Sequence, residues 1–287
     1  MDLCDLDTIR SLLSRHGFHF SKSMGQNFLI DPQIPRCIAE ASGADSTCGV
    51  LEIGPGIGPL TAELAKRAGK VAAVELDKTL LPVLTETMSP YSNVEIIPGD
   101  AMKLDLSALA REQFGSLTPM VCANLPYNIT TPILTKLIET PCFQQVTVMI
   151  QREVAQRLCA APGHSSAVGS ISLFLQYHME VELLFDVPPS CFVPPPKVHS
   201  SVIRCVRRSH PPVEVEDESF FFQVVRGAFL LRRKTLANSL AAALPRFEKK
   251  AIQSALEQCG LSENARGEQL SMEAFASLVN TLGSMRP

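Results

Sequence analysis

Val50-Leu51-Glu52-Ile53-Gly54-Pro55-Gly56-Ile57-Gly58 carries an apolar, β-type run straight into three alternating glycines. Glycine lets a backbone pass close to a ligand, and the helix after such a turn presents unpaired N–H groups. A dinucleotide fingerprint needs its third glycine at position 59, where Pro59 stands, so the spacing departs from the hydride-transfer pattern. Taken alone, the turn is also compatible with a merely tight strand-to-helix connection. Outward from it, β-type runs fall at 71–75, 94–97, 120–123 and 146–151, and helical patterns at 59–68, 78–88 and 130–139. Near-continuous apolar strands separated by helices predict a parallel α/β sheet covered on both faces. A helical stretch at 171–178 precedes two more β-type runs, 181–187 and 198–206. Pro188-Pro189 and Pro194-Pro195-Pro196 stiffen the loop between those runs. From 217 the pattern is helical, over 217–231, 233–243, 249–258 and 271–282. The reading divides the chain into an α/β domain, 1–208, and a small all-helical domain, 209–287.

Two acids and one tetrad give the sheet a chemistry. Glu75 ends the second strand, 17 residues beyond Gly58, where an acid accepts the two hydroxyls of a ribose. Asp100 follows the third strand, within reach of an adenine amine. Either acid alone would be an ordinary cap or turn residue. With the glycine loop, at the carboxyl ends of successive strands, they outline one crevice. No G-x-x-x-x-G-K-S/T is present to cradle a triphosphate, so the expected ligand is S-adenosylmethionine on a Rossmann-like methyltransferase sheet. After the fourth strand comes Asn124-Leu125-Pro126-Tyr127. An exocyclic adenine amine is a poor nucleophile because its lone pair is delocalised into the ring. The Asn124 side-chain oxygen and the Leu125 carbonyl can accept its two N–H bonds and draw the nitrogen toward tetrahedral geometry. Pro126 fixes the turn, and Tyr127 offers a face for an extruded base. The competing reading of the same four residues is a β-turn with a buried tyrosine.

Composition bounds the rest. With 46% hydrophobic and 19% charged residues among 287, disorder and collagen-like architecture are excluded. No apolar run approaches the roughly 20 residues that span a bilayer. Asp2, Asp5 and Asp7 do not resemble a signal peptide. Nine cysteines without a C-x-x-C pair fit reduced thiols in a cytosol, so a cytoplasmic protein without membrane association is expected. The six histidines show no zinc spacing, and His16 with His19 lacks Cys or carboxylate partners, so no metal is expected. The net charge of −3 hides a gradient: residues 1–186 carry −7, residues 187–250 carry +6 and the remainder −2. The basic residues are Arg204, Arg207, Arg208, Arg226, Arg232, Arg233, Lys234, Arg246, Lys249 and Lys250. Such clustering suits a face that tracks phosphates, and equally a solvated helix face.

Over about residues 20–270 the chain resembles the small-subunit (16S) ribosomal RNA adenine dimethyltransferase family. The matching segments are Ser23-Met24-Gly25-Gln26-Asn27-Phe28-Leu29, Glu52 to Gly58, Gly99-Asp100-Ala101, Asn124 to Ile129, and Gln151 to Arg157. They continue with Phe192-Val193-Pro194-Pro195-Pro196-Lys197-Val198-His199-Ser200, Ala228-Phe229 and Arg232-Arg233-Lys234-Thr235-Leu236. The resemblance implies cofactor contacts from Asn27, Leu29, Gly54, Glu75, Asp100 and Asn124. It implies that Phe192 stacks the target base opposite Tyr127, although a proline-rich connection with Phe192 in the core would read the same. It further implies dimethylation of two adjacent adenines in a 3′-terminal hairpin loop, a 30S partner, a role in subunit assembly, and RNA contacts from Arg232, Arg233 and Lys234. A monomer is expected. A large-subunit methyltransferase of the macrolide-resistance type shares the fold and the Asn124 tetrad. The long Pro194–Ser200 motif and the Arg232–Leu236 run stand against it. A mitochondrial counterpart would need an Arg-rich presequence, which is not seen. An assembly factor without turnover would not need an intact Asn124-Leu125-Pro126-Tyr127.

Overall fold

The computed structural model describes residues 1–18 and 27–285, so His19 and residues 23–26 of the N-terminal motif lie outside the described residues. The chain forms two units, residues 1–155 with 181–207, and residues 156–180 with 208–287.

In the first unit the elements run α1 (Leu6–Arg15), β1 (Phe28–Leu29), α2 (Gln33–Ala41), β2 (Cys48–Ile53), α3 (Pro59–Ala65), β3 (Lys70–Glu75) and α4 (Leu81–Met88). There follow β4 (Val94–Pro98), α5 (Leu106–Phe114), β5 (Thr118–Asn124), α6 (Thr130–Glu139), β6 (Gln145–Gln151), β7 (Met179–Val187), β8 (Phe192–Val193) and β9 (Ser200–Arg207). Seven strands make one sheet in the order β4-β3-β2-β5-β6-β9-β7. The strands β2 to β6 pair in parallel, and β9 returns antiparallel on β6, from Gln145↔Val206 to Gln151↔Ser200. The order reverses between β2 and β5. A crevice therefore opens beyond the carboxyl ends of these strands, where open α/β sheets take ligands.

All six residues of β2 are buried, as expected of a central strand covered on both faces, while every residue of β4 at the edge is half-buried or exposed. Gly49 is required inside β2 because a Cβ there would sit 2.3 Å from the Phe114 ring of α5. The helix α5 has no counterpart in the sequence reading, though Asp105 caps it by accepting the Ala108 N–H at 2.9 Å. The strand expected at 198–206 begins only at Ser200. Outside the main sheet, β1 pairs antiparallel with β8, Phe28↔Val193 and Leu29↔Phe192.

The second unit contains the second half of α7 (Arg152–Cys159), then α8 (Ser170–His178), α9 (Glu218–Ala228), α10 (Leu236–Ala243), α11 (Lys249–Gln258) and α12 (Met272–Ser284). Its division differs from a single cut at 208. Val168, Leu173 and Tyr177 pack into one apolar core with Phe220, Phe221, Leu240 and Phe275, so residues 156–180 belong with the C-terminal helices. Asp217 and Ser271 cap α9 and α12 by accepting the N–H of Phe220 and Ala274. Helix α9 stops at Ala228 and α10 starts at Leu236, so Arg232, Arg233 and Lys234 stand on a loop. The Leu230 N–H on Gly227 C=O and the Lys234 N–H on Leu231 C=O are turn bonds that replace the expected helical ones.

Candidate active site

The glycine loop leaves β2 through three left-handed residues, Gly54, Gly56 and Gly58, at φ +71°, +64° and +95°. Side chains other than glycine are strained there, and a Cβ on Gly56 would press on the Phe28 ring at 3.3 Å. The loop is thereby fixed as bare backbone facing a cavity of about 170 Å³. The nine residues proposed from sequence for cofactor and base, Asn27, Leu29, Gly54, Glu75, Asp100, Asn124, Leu125, Tyr127 and Phe192, all line that cavity.

Each acid is held by its strand end. Glu75, 7% exposed, accepts the Asp77 N–H at 2.7 Å, and backbone N–H groups of Gly56 and Leu76 also stabilise its charge. Burial still outweighs them and raises its pKa. Asp100 combines both readings given to it: it lines the cavity and accepts the Met102 N–H at 2.9 Å within its own turn. Glu52 was not proposed as a site residue. It lies inside the otherwise apolar β2 at 1% exposure, and its Oε2 has no hydrogen-bond partner among the described residues. Burial pushes its carboxyl up to about 8, Glu75 adds to the rise, and the nearby Thr61 hydroxyl offsets only part of it without a well-formed bond. An acid in a continuous apolar run was the available signal.

The tetrad follows β5 directly. The Leu125 N–H bonds Met149 C=O at 3.1 Å, which fixes the turn on the neighbouring strand. Residues Tyr127–Ile129 form a short 3₁₀ turn into α6. The Pro126 C=O is engaged by the Ile129 N–H and the Thr130 hydroxyl, at 3.2 Å each. Among the described residues the Asn124 side chain and the Leu125 C=O accept no hydrogen bond, so both remain available to a ligand donor. The Tyr127 hydroxyl bonds the Ser200 hydroxyl, and burial raises the phenol's pKa. Phe192 is 2% exposed and packs with Leu29, Cys191 and Val202, while its ring also lines the cavity. Core packing and a place at the site hold together for this residue.

Much of the basic charge is already committed. Arg204 pairs with Glu182 at 2.6 Å, and Arg207 donates to the carbonyls of Ile138, Thr140 and Phe143. Arg208 holds Gln176 C=O and Glu180, and Arg246 lies over the rings of Phe220 and Phe247. Arg232 donates to Ser166 C=O at 3.1 Å and Val168 C=O at 3.4 Å. Among the described residues, the side chains of Arg226, Arg233, Lys234, Lys249 and Lys250 make no such bond. No group of three metal-ligating side chains occurs among the described residues.

The ribosomal RNA adenine dimethylase family profile matches residues 17–283. A ribosomal RNA small subunit methyltransferase A from Geobacillus thermodenitrificans is 49% identical over 98% of this chain and 97% of its own. A dimethyladenosine transferase structure from Plasmodium falciparum is 26% identical, with a TM-score of 0.74 over 89% of this chain and 97% of its own. A 23S rRNA methyltransferase structure, ErmE, is also 26% identical, with a TM-score of 0.69 over 89% of this chain and 99% of its own.

Proposed function

The chain belongs to the ribosomal RNA adenine dimethylase family, and on that premise we propose how its cavity and its free cations divide the work. It is an S-adenosylmethionine-dependent dimethyltransferase of small-subunit ribosomal RNA adenine. The cavity suits that cofactor. It offers bare glycine backbone, an acid at the end of β3 for a ribose, and no cradle for phosphates. When bound, S-adenosylmethionine supplies a methyl group activated by its sulfonium.

Every other part of the reaction falls to the chain. Asn27, Leu29, Gly54, Glu75 and Asp100 hold the cofactor. The Asn124 oxygen and the Leu125 carbonyl accept the two N–H bonds of the adenine amine, which frees its lone pair and aims it at the methyl. Tyr127 and Phe192 contribute the apolar faces between which the flipped base lies. No base is needed before attack, because the amine proton becomes acidic only once the nitrogen is alkylated. The rate gain is therefore mostly alignment. The observation that carries this reading is the pair of unengaged acceptors, Asn124 and Leu125, on the wall of the cavity that also holds Glu75.

The substrate within small-subunit RNA is the pair of adjacent adenines in the 3′-terminal hairpin loop, each methylated twice. The enzyme works in the cytoplasm as a monomer on 30S particles and takes part in their biogenesis. The free side chains of Arg233 and Lys234, with Arg232 bracing their loop, follow the RNA backbone. Incubating the protein with labelled S-adenosylmethionine and undermethylated small subunits, then mapping the modified bases, tests the assignment. Label in large-subunit RNA would instead favour the activity named for the 23S relative.

A further inference from the structure

We propose that Ser200 is a positioning residue for methyl transfer, holding the Tyr127 ring at the tilt that the flipped adenine needs. This rests on Tyr127 being the stacking face. Ser200 is fully buried although polar, and its Oγ lies 2.5 Å from the Tyr127 Oη. The Tyr127 ring is half-buried and lines the cavity, so its hydroxyl is the far end of a lever whose face is presented to the base. Burial raises the phenol's pKa above its ordinary value, so this bond joins two hydroxyls at neutral pH.

Both ends of the bond are anchored. Ser200 opens β9 in register with Gln151, and the preceding His199 C=O accepts the Arg152 N–H at 2.9 Å. The next residue, Ser201, is also fully buried and donates to Asp186, whose carboxylate lies 3.5 Å from the Arg152 guanidinium. The start of β9 is thus tied on both sides of Ser200. The backbone of Tyr127 is set by the 3₁₀ turn and the two bonds to Pro126 C=O. What remains free is rotation of the tyrosine about its two side-chain torsions. The hydroxyl bond removes that freedom at the point of greatest leverage. It also links the Asn124–Tyr127 turn to the Phe192–Ser200 segment, so the Tyr127 and Phe192 rings, both lining the cavity, share one fixed frame.

The experiment uses Ser200→Ala, Tyr127→Phe, their double variant, Ser200→Thr and Tyr127→Ala. The probe is a hairpin RNA with 2-aminopurine in place of the target adenine, in the presence of S-adenosylhomocysteine. Turnover is measured on the natural hairpin. Ser200→Ala and Tyr127→Phe should each lower kcat about fivefold, the worth of one neutral hydrogen bond, with KM for RNA unchanged. The 2-aminopurine quench should fall in parallel. The double variant should also lose about fivefold, because both changes delete the same bond, and Ser200→Thr should restore the rate. Losses that multiply to about 25-fold, or a normal kcat and quench in Tyr127→Phe, overturn the role of Ser200. If Ser200→Ala does not fold, Tyr127→Phe decides alone, since it cuts the bond from the half-exposed side. Tyr127→Ala separates the two levels of the argument: an undiminished quench there means that stacking on Tyr127 is wrong, whatever Ser200 does.

Discussion

Replacing Glu52 by Gln should stabilise the protein at neutral pH, by an amount that depends on pH in a defined direction. The carboxyl is buried in β2 with one oxygen unpaired, and its pKa is pushed from the ordinary 4.5 to about 8. The unfolded chain releases this proton above pH 4.5, while the native protein keeps it until about pH 8. Stability from the neutral acid is therefore complete below pH 4.5, and it declines as the pH rises toward the folded pKa. At roughly 1.36 kcal/mol per pH unit, the loss at pH 7 comes to about 3 kcal/mol, as an upper bound. Glutamine has the same size and no charge at any pH, so it resembles the protonated acid and removes the decline. Denaturant melts of both proteins from pH 5 to pH 8.5 measure the effect. The variant should exceed the wild type by less than about 1 kcal/mol at pH 5 and by about 3 kcal/mol at pH 7. A difference that stays constant across this range, or a glutamine variant less stable at pH 7, would show that Glu52 is ionised and partnered in the native protein. The same carboxyl predicts that binding the positively charged cofactor at pH 7 releases a proton, which calorimetry in buffers of different ionisation heat detects. Glu52→Gln should abolish that release.

Three further outcomes are expected. Glu75→Ala should weaken S-adenosylmethionine binding at least tenfold in calorimetric titration and leave RNA affinity unchanged, since charged-acceptor bonds are worth about 1.5–3 kcal/mol each; unaltered cofactor affinity would remove Glu75 from the site. Asn124→Ala should lower the single-turnover rate by about 10²–10³ with RNA still bound, the usual cost of one preorganised hydrogen-bonding group, whereas near-normal turnover would reduce the tetrad to a structural turn. Replacing Arg233 and Lys234 by Ala should flatten the slope of log RNA affinity against log salt by about two, while Arg232→Ala should chiefly speed hydrogen exchange in residues 165–168; equal slopes in all three proteins would place these side chains away from the RNA.

The parallel core was readable because its signals are local. Apolar runs of strand length, glycines after the first strand and acids at strand ends repeat at positions fixed by the α/β pattern itself. Nine candidate residues consequently meet at one cavity. What escaped was non-local or short. The ladder of β1 and β8 contains two residues per strand, too few for any period to show. Helix α5 is nine residues long, and the ring it sets against Gly49 is a contact between distant segments. The count of basic residues overstated the free charge, because Arg207 and Arg232 spend their guanidinium groups on carbonyls remote in sequence. The hydroxyl of Tyr127 carried no signal of its own. Stacking needs only a face, and its bond to Ser200 crosses 73 positions.

The composite make-up of the helical unit has a consequence for how the chain is made. Val168, Leu173 and Tyr177 leave the ribosome with segment 156–180, yet the helices that bury them end only at Ser284. At about 5–20 residues per second, roughly a hundred further residues take on the order of 5–20 s to synthesise. Through that interval an apolar segment with no finished core waits while residues 181–207 complete the sheet beside it in sequence. A nascent chain stalled just after residue 207 has cleared the ribosomal exit tunnel should therefore hold a formed sheet and an exposed apolar segment, the kind of intermediate that recruits a chaperone. A gene cut at 208 would make that transient permanent.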